Sequence, residues 1–581
     1  MRRCTFLFAL IFIFTLGVLA QTPPPTPDQN APSLTLHVST RMVTVEVVAR
    51  EHGKPATGLT AADFEVFDQS SGFHKEKKPQ KIAAFRALGI TEFASKNNDS
   101  VQVPAGVYTN LVTLQKDPVP PTIILVDGLN TDNAGQIQIR DQMVRMLGSL
   151  PEDVPVAIFL LGRRLRMLQS FTTDPKLLKT ALQKATTIEA NGLRQIDPRD
   201  DPNSLSSFQD RTRGIVFELQ EESAGARSDM LRRFEQETYA FTLDIRVSET
   251  IDALRSIALH VAGYPGRKNL LWLSSSFPIA INPQIESFNA SRDYGSQMEE
   301  LANTLGEAKI AVYPITPAGS DTAVDITSNI SQPGSAGRRS QNQMNSQATM
   351  EILAGDTGGQ ICTDNNDLSY CVKKAVSDSS SFYEIGYYPD SSDWHGEFHK
   401  IIVKTKQSGV HLAYRQGYFA RPEGGDSSDA KTLAAKIQQA ACEDLLTATS
   451  VTLAVRTLPP DSPEKIKYWV LVDPETITFP QASETERGLD LMVAACTFNK
   501  AGKPLQLFRD PIERKLNDHE YKTLLAEHFV PHNMVFAPGP DAAMVRVMVR
   551  DNSSGRIGSV NIPYPAAPAV AAAANAQPSS K

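Results

Sequence analysis

The chain has 581 residues, 41% of them hydrophobic and 21% charged, with a formal net charge of -7. That length predicts three or four domains at roughly 100–200 residues each. The mild acidity argues against nucleic acid as a partner, because phosphate binding needs a concentrated basic surface; the cluster Arg163-Arg164-Leu165-Arg166 reads as a solvated turn.

Residues 1–20 read as a secretory signal peptide: Arg2 and Arg3, an apolar run from Phe6 to Leu19, and a small-residue cleavage site at Val18-Leu19-Ala20. The run is shorter than the roughly 20 residues of a spanning helix, an uncleaved anchor being the competing reading. Cys4 precedes the run, which argues against a lipoprotein. The expectation is a secreted or periplasmic protein with no transmembrane segment after cleavage. Residues 21–33 (QTPPPTPDQNAPS) are a Pro-rich linker.

Residues 34–90 predict a small β-sandwich-like domain. Val43, Val45 and Val47 alternate with their neighbours as in a half-buried strand, and Phe64–Asp68 and Lys81–Phe85 are further short strands. From 120 to 420 strand and helix alternate. Thr122–Val126 is an apolar run ending in Asp127, with the composition of a parallel strand buried on both faces. A helix is expected over 133–149, and Val154–Leu161 turns back through Gly162 into Leu165–Phe171 as an antiparallel hairpin. Residues 188–227 and 318–345 are polar insertions. Asn269–Leu273 and Ile310–Ile315 are buried strands, and helices are expected over 228–263, 293–308, 346–355 and 366–378. Such alternation predicts a mostly parallel sheet with ligands at the carboxyl ends of its strands. Residues 430–564 read as a second β-sandwich-like domain, and 565–581 as a low-complexity tail.

With Cys4 removed, Cys362, Cys371, Cys442 and Cys496 remain, an even number that permits disulfides in an exported chain. Nearest-neighbour pairing, Cys362–Cys371 and Cys442–Cys496, is one of three connectivities; the other reading is four buried thiols.

The segments VTVEVVAREHGKPATGLTAADFEVFD, TIILVDGLNT, SFTTDPKLLKTALQ, PGRKNLLWLSSSFP, KIAVYPI, LAGDTGG, YEIGYYPD and VRVMVRDNSSGRIGSVNIP, in this order, resemble the VWFA-related acidobacterial domain family, exported bacterial proteins of mostly unassigned function. The resemblance implies an α/β fold class: a central von Willebrand factor A-like, mostly parallel sheet, flanked by N- and C-terminal β-sandwich-like domains, without established catalytic activity. Domains of that kind often hold Mg²⁺ at an adhesion site built on D-x-S-x-S, a loop Thr and a later Asp, hard oxygen ligands that suit the cation. Here Asp127 matches the first Asp and Thr131 the second Ser, but Leu129 replaces the first Ser and Ser275 stands where the later Asp would lie. Thr186 or Thr187 is the loop candidate. Alternatively, Asp127 and Thr131, with Asp132, cap the following helix.

Other candidates read as structural. Ser274-Ser275-Ser276 lacks the glycines of a nucleophile elbow. His395 and His399, beside Asp393 and Glu397, read as exposed groups of a hairpin turn rather than metal ligands. Asp356-Thr357-Gly358-Gly359 lacks the Lys-Ser/Thr of a phosphate loop. Tyr383, Tyr387, Tyr388 and Tyr418 read as sheet-packing residues. The sequence therefore predicts an exported, non-enzymatic binding or adhesion protein with a degenerate metal-ion-dependent adhesion site. Its recognition surface is expected at Asp127, Asn130, Thr131 and Ser275, and its partner is expected to be a protein or a cell-envelope component. The alternatives are true Mg²⁺-dependent adhesion and an exported hydrolase.

Overall fold

The computed structural model describes residues 42–70, 76–89, 104, 106–111, 120–131, 154–162, 164–182, 244–264, 266–274, 277, 294–316, 348–362, 368–389, 397–420, 430–443, 446–460, 462, 464–483 and 485–565. The signal peptide, the linker 21–33, the helix expected over 133–149, both polar insertions and the tail beyond 565 lie outside them.

The expectation of an α/β molecule organised on a central, mostly parallel sheet does not hold. Five sheets are described; four are antiparallel throughout, and parallel pairing is confined to neighbouring strands of one. Strand outweighs helix because the first and last thirds of the described chain are almost wholly β.

The strand Val43–Glu51 turns Val43, Val45, Val47 and Ala49 inward, as its alternation predicts. Its partners are distant in sequence: it pairs antiparallel with Ser381–Tyr387 and with Val410–Ala413. Ser381–Tyr387 pairs in turn with Ile82–Gly89. Facing this sheet is another, in which Phe64–Ser70 lies between Phe398–Thr405 and Lys77–Gln80, with Gly417–Phe419 beyond. Val45, Val47, Phe64, Val66, Ile385, Ile401 and Val403 fill the space between the two sheets. The segment 34–90 thus makes its sandwich jointly with strands that the boundary at 420 assigned to the middle of the chain.

The sheet that contains the parallel ladder runs Ile310–Ile315, Lys268–Leu273, Thr122–Asp127, Val156–Leu161, Leu165–Thr172; only the last pair is antiparallel. Its inner strands are continuous apolar runs because helices cover both faces. One face takes Leu254, Ile257, Ala258 and Val261 of the helix 244–261 together with Leu301 and Leu305 of Gly295–Glu307. The other takes Val372, Ala375 and Val376 of Leu368–Ser380 and Leu178 and Leu182.

In the last third, Leu453–Leu458 lies between Ile466–Val472 and the short Val107–Thr109, a strand from the weakly patterned stretch before 120. A second sheet, Pro504–Asn517, Glu486–Phe498, Met544–Asp551, Ile557–Pro563, packs on the first through Val455, Tyr468, Val470, Leu491, Val493, Val547 and Val560. The cysteines pair as nearest neighbours. Cys442, in the turn after the helix Ala430–Gln438, bonds Cys496 with Cα atoms 5.5 Å apart, and Cys362 bonds Cys371 at 6.1 Å. Cys362 also extends the parallel sheet, bridging Ile315.

Candidate functional site

Asp127 ends its strand, as expected, but not at an open rim: it is 0% exposed, with Asn130 at 2% and Thr131 at 5%. Its carboxylate is saturated from within. The Asn130 N–H donates to Oδ1 at 2.9 Å. Three side chains donate to Oδ2: Asn130 Nδ2 at 2.9 Å, Trp272 Nε1 at 3.0 Å and Ser274 Oγ at 2.9 Å. Asn130 carries the network onward, its Nδ2 donating to Thr250 Oγ1 at 2.8 Å and its Oδ1 accepting from Arg246 at 3.2 Å. Two strand ends and the helix 244–261 are thereby tied to one carboxylate. Burial pushes the Asp127 carboxyl above the usual carboxylate range, against the pull of its donors from Asn130, Ser274 and Trp272.

These residues do not fit a Mg²⁺ ion. A hard cation needs the carboxylate's lone pairs, and here they receive N–H and O–H hydrogens whose positive ends occupy the ligand positions. Among the described residues no group of three or more His, Cys, Asp or Glu is arranged to hold a metal. The local bond from the Asn130 amide is instead the i to i+3 pattern of a carboxylate closing a turn. Ser275, Thr186, Thr187, Asp132 and His395 lie outside the described residues.

A second buried aspartate was not anticipated. The alternation of Phe64–Ser70 puts Asp68 on the same inward face as Phe64 and Val66. There Oδ1 lies 2.6 Å from His399 Nδ1, and Oδ2 accepts from Tyr387 OH at 3.0 Å and Tyr418 OH at 2.7 Å. His399, read from the sequence as exposed in a turn, is 3% exposed within the strand Phe398–Thr405. Tyr387 comes from the facing sheet, so Asp68 fastens the two halves of the sandwich. Burial and then the Asp68 charge hold the Tyr387 hydroxyl well above its ordinary value; burial and then Tyr387 and Asp68 do the same to Tyr418. The signal was present in the sequence: a charged residue at an inward position of an alternating strand.

Two further clusters fasten this sandwich to the parallel layer. Arg50 pairs with Asp378, whose other oxygen accepts from Tyr313 OH at 3.0 Å. Lys309 Nζ lies 2.6 Å from Glu384 Oε1 and 3.3 Å from Glu46 Oε1. Close by, the buried Lys268 donates to the carbonyls of Ala308 at 2.8 Å and Gly266 at 3.1 Å. Burial, helped by the charge of Lys309, lowers its ammonium to about 7.

No family model and no curated protein matches the chain. Among solved structures it is similar to an aerotolerance-related membrane protein from Bacteroides fragilis, with 10% identity and a TM-score of 0.23 over 44% of this chain and 98% of that one. It is similar to the pilus adhesin SpaC from Lactobacillus rhamnosus GG, with 9% identity and a TM-score of 0.22 over 88% of this chain and 63% of that one. It is also similar to a von Willebrand factor type A protein from Catenulispora acidiphila, with 8% identity and a TM-score of 0.15 over 59% of this chain and 73% of that one. Scores this low establish no shared fold.

Proposed function

We propose that this is an exported, non-enzymatic binding protein whose layered core is a rigid scaffold for recognition on its outer faces. The observation that carries this reading is the use made of the buried ionisable groups. Asp127, Asp68 with His399, and Asp378 with Arg50 are each spent on fastening one element to another. Buried polar networks of this kind hold packed elements in one arrangement. Two disulfide bonds suit an oxidising compartment, and no helix of the described residues is long and apolar enough to cross a membrane.

The test is capture of envelope material by the immobilised chain lacking residues 1–20, run beside labelling with a serine-reactive fluorophosphonate probe. The expected result is retention of a defined protein or glycan without covalent labelling. Stoichiometric labelling, or turnover of ester or peptide substrates, would replace this reading with the hydrolase.

A further inference from the structure

The outer face of the sheet containing Phe64–Ser70 differs in character from the acidic chain that carries it. Register places Lys400, Gln69 and Lys77 in one row across three strands, Ile402, Phe67 and Pro79 in the next, and Lys404 with Glu65 in a third. Phe398 and Phe419 pair in a further row beyond the first, two residues along the strand from Lys400, their ring centroids 5.2 Å apart. Lys77, Lys400 and Lys404 are exposed, while Phe67, Ile402, Phe398 and Phe419 are half-buried. Lys77 and Lys404 converge on one ring, their Nζ atoms 4.0 and 5.7 Å from the centroid of Phe67. The desolvation of Lys77 and the neighbouring Lys404 charge both disfavour its ammonium, with only Glu65 opposing. Two like charges held over an aromatic surface form a site that an anion relieves.

We infer that this face binds an acidic polysaccharide, with carboxylates on Lys77, Lys404 and Lys400 and the apolar faces of its sugar rings on Phe67, Ile402 and the Phe398–Phe419 pair. Lys400 and Lys404 stand about 13 Å apart along their strand, and Lys77 about 10 Å across the sheet from Lys400. With Lys77 and Lys404 drawn together over Phe67 and Lys400 set apart along its strand, the face offers two separate cationic positions, which fit a polymer with repeated carboxylates better than a single small anion. Lys400, Lys404, Ile402 and Phe67 lie on the two inner strands of the sheet, where an acidic peptide would gain no backbone pairing. The aromatic rings are half-buried, which leaves a bilayer little to anchor.

This inference rests on the binding reading above and names its surface and ligand class. The experiment is titration of the chain lacking residues 1–20 with polygalacturonate, by calorimetry at low and at 0.5 M salt, with neutral dextran and anionic phosphatidylglycerol vesicles in parallel. Polygalacturonate should bind, dextran and vesicles should not, and the affinity should fall steeply with salt. The charge reversal K77E/K404E should weaken binding at least tenfold without moving the thermal midpoint, and K400E should weaken it severalfold. Binding unchanged in K77E/K404E overturns the proposal, as does binding to vesicles but not to the polymer. If K77E/K404E captures envelope material as well as the wild type, the face is wrong and the binding reading stands; if neither captures any, both fall.

Discussion

Two of the buried aspartates, Asp127 and Asp68, do similar work by different routes. Asp127 sits at a strand end, and two of its four bonds come from Asn130, three residues on. Asp68 sits mid-strand, and all three of its partners come from strands more distant in sequence, at positions 387, 399 and 418. The first is a local turn extended by neighbours; the second exists only after the whole sandwich has closed. A carboxylate at a strand end is thus weak evidence for an adhesion site, because the same residue serves a turn equally well.

Four substitutions sharpen this contrast. Asp127→Ala removes the acceptor shared by four buried donors and should cost about 3–5 kcal/mol, read as a lower urea midpoint; a cost below about 1 kcal/mol would show the hub to be dispensable. Lys268→Met removes a buried charge of another kind, one without a carboxylate on it. Folded Lys268 releases its proton at about 7, against 10.5 for an ordinary lysine. Between those values the unfolded chain holds the extra proton, so wild-type stability should rise with pH across that window; below it both states are protonated and the penalty is complete. Lys268→Met should therefore raise stability by about 2–4 kcal/mol near pH 7 and flatten the rise. Equal slopes in the two proteins, from denaturant titrations at pH 6.5 to 10, would contradict it. Asp68→Ala should cost about 2–3 kcal/mol, and a double-mutant cycle with His399→Ala should return a coupling above about 1 kcal/mol. Tyr418→Phe is the mildest, about 1 kcal/mol, because Asp68 keeps Tyr387 and His399.

Much of the local structure was legible from residue pattern alone. Thr122–Asp127 and Ile310–Ile315 are apolar on both sides, and that composition marks a strand covered on two faces. The hairpin through Gly162 follows from its tight turn, and the Cys362–Cys371 bond joins residues only nine apart, whereas Cys442 and Cys496 lie 54 apart and nearest-neighbour pairing was one of three connectivities. Class and site were not legible in the same way. Alternating strand and helix in the middle of the chain suggested an α/β whole, but the strands of its last part, 381–419, join the N-terminal ones. Pairing partners are chosen by complementary faces, which a single sequence does not rank. Pro504–Asn517 carries no clear strand pattern in the sequence, because its exposed, charged positions and Pro511 blur the alternation of an edge strand. Leu129 in place of a hydroxyl already weakened the metal reading; the donors from Trp272 and Ser274 that end it come from another strand.

Val43–Glu51 is among the first described elements of the chain, yet both its main partners lie beyond 380. Tyr383 likewise hydrogen-bonds Leu59, 324 residues away. An N-terminal strand made this way has nowhere to dock while the chain is still emerging, and closing so long a loop is slow. Late closure leaves the leading strand without its sheet until residues 381–413 are available, and ties assembly of the first sandwich to them.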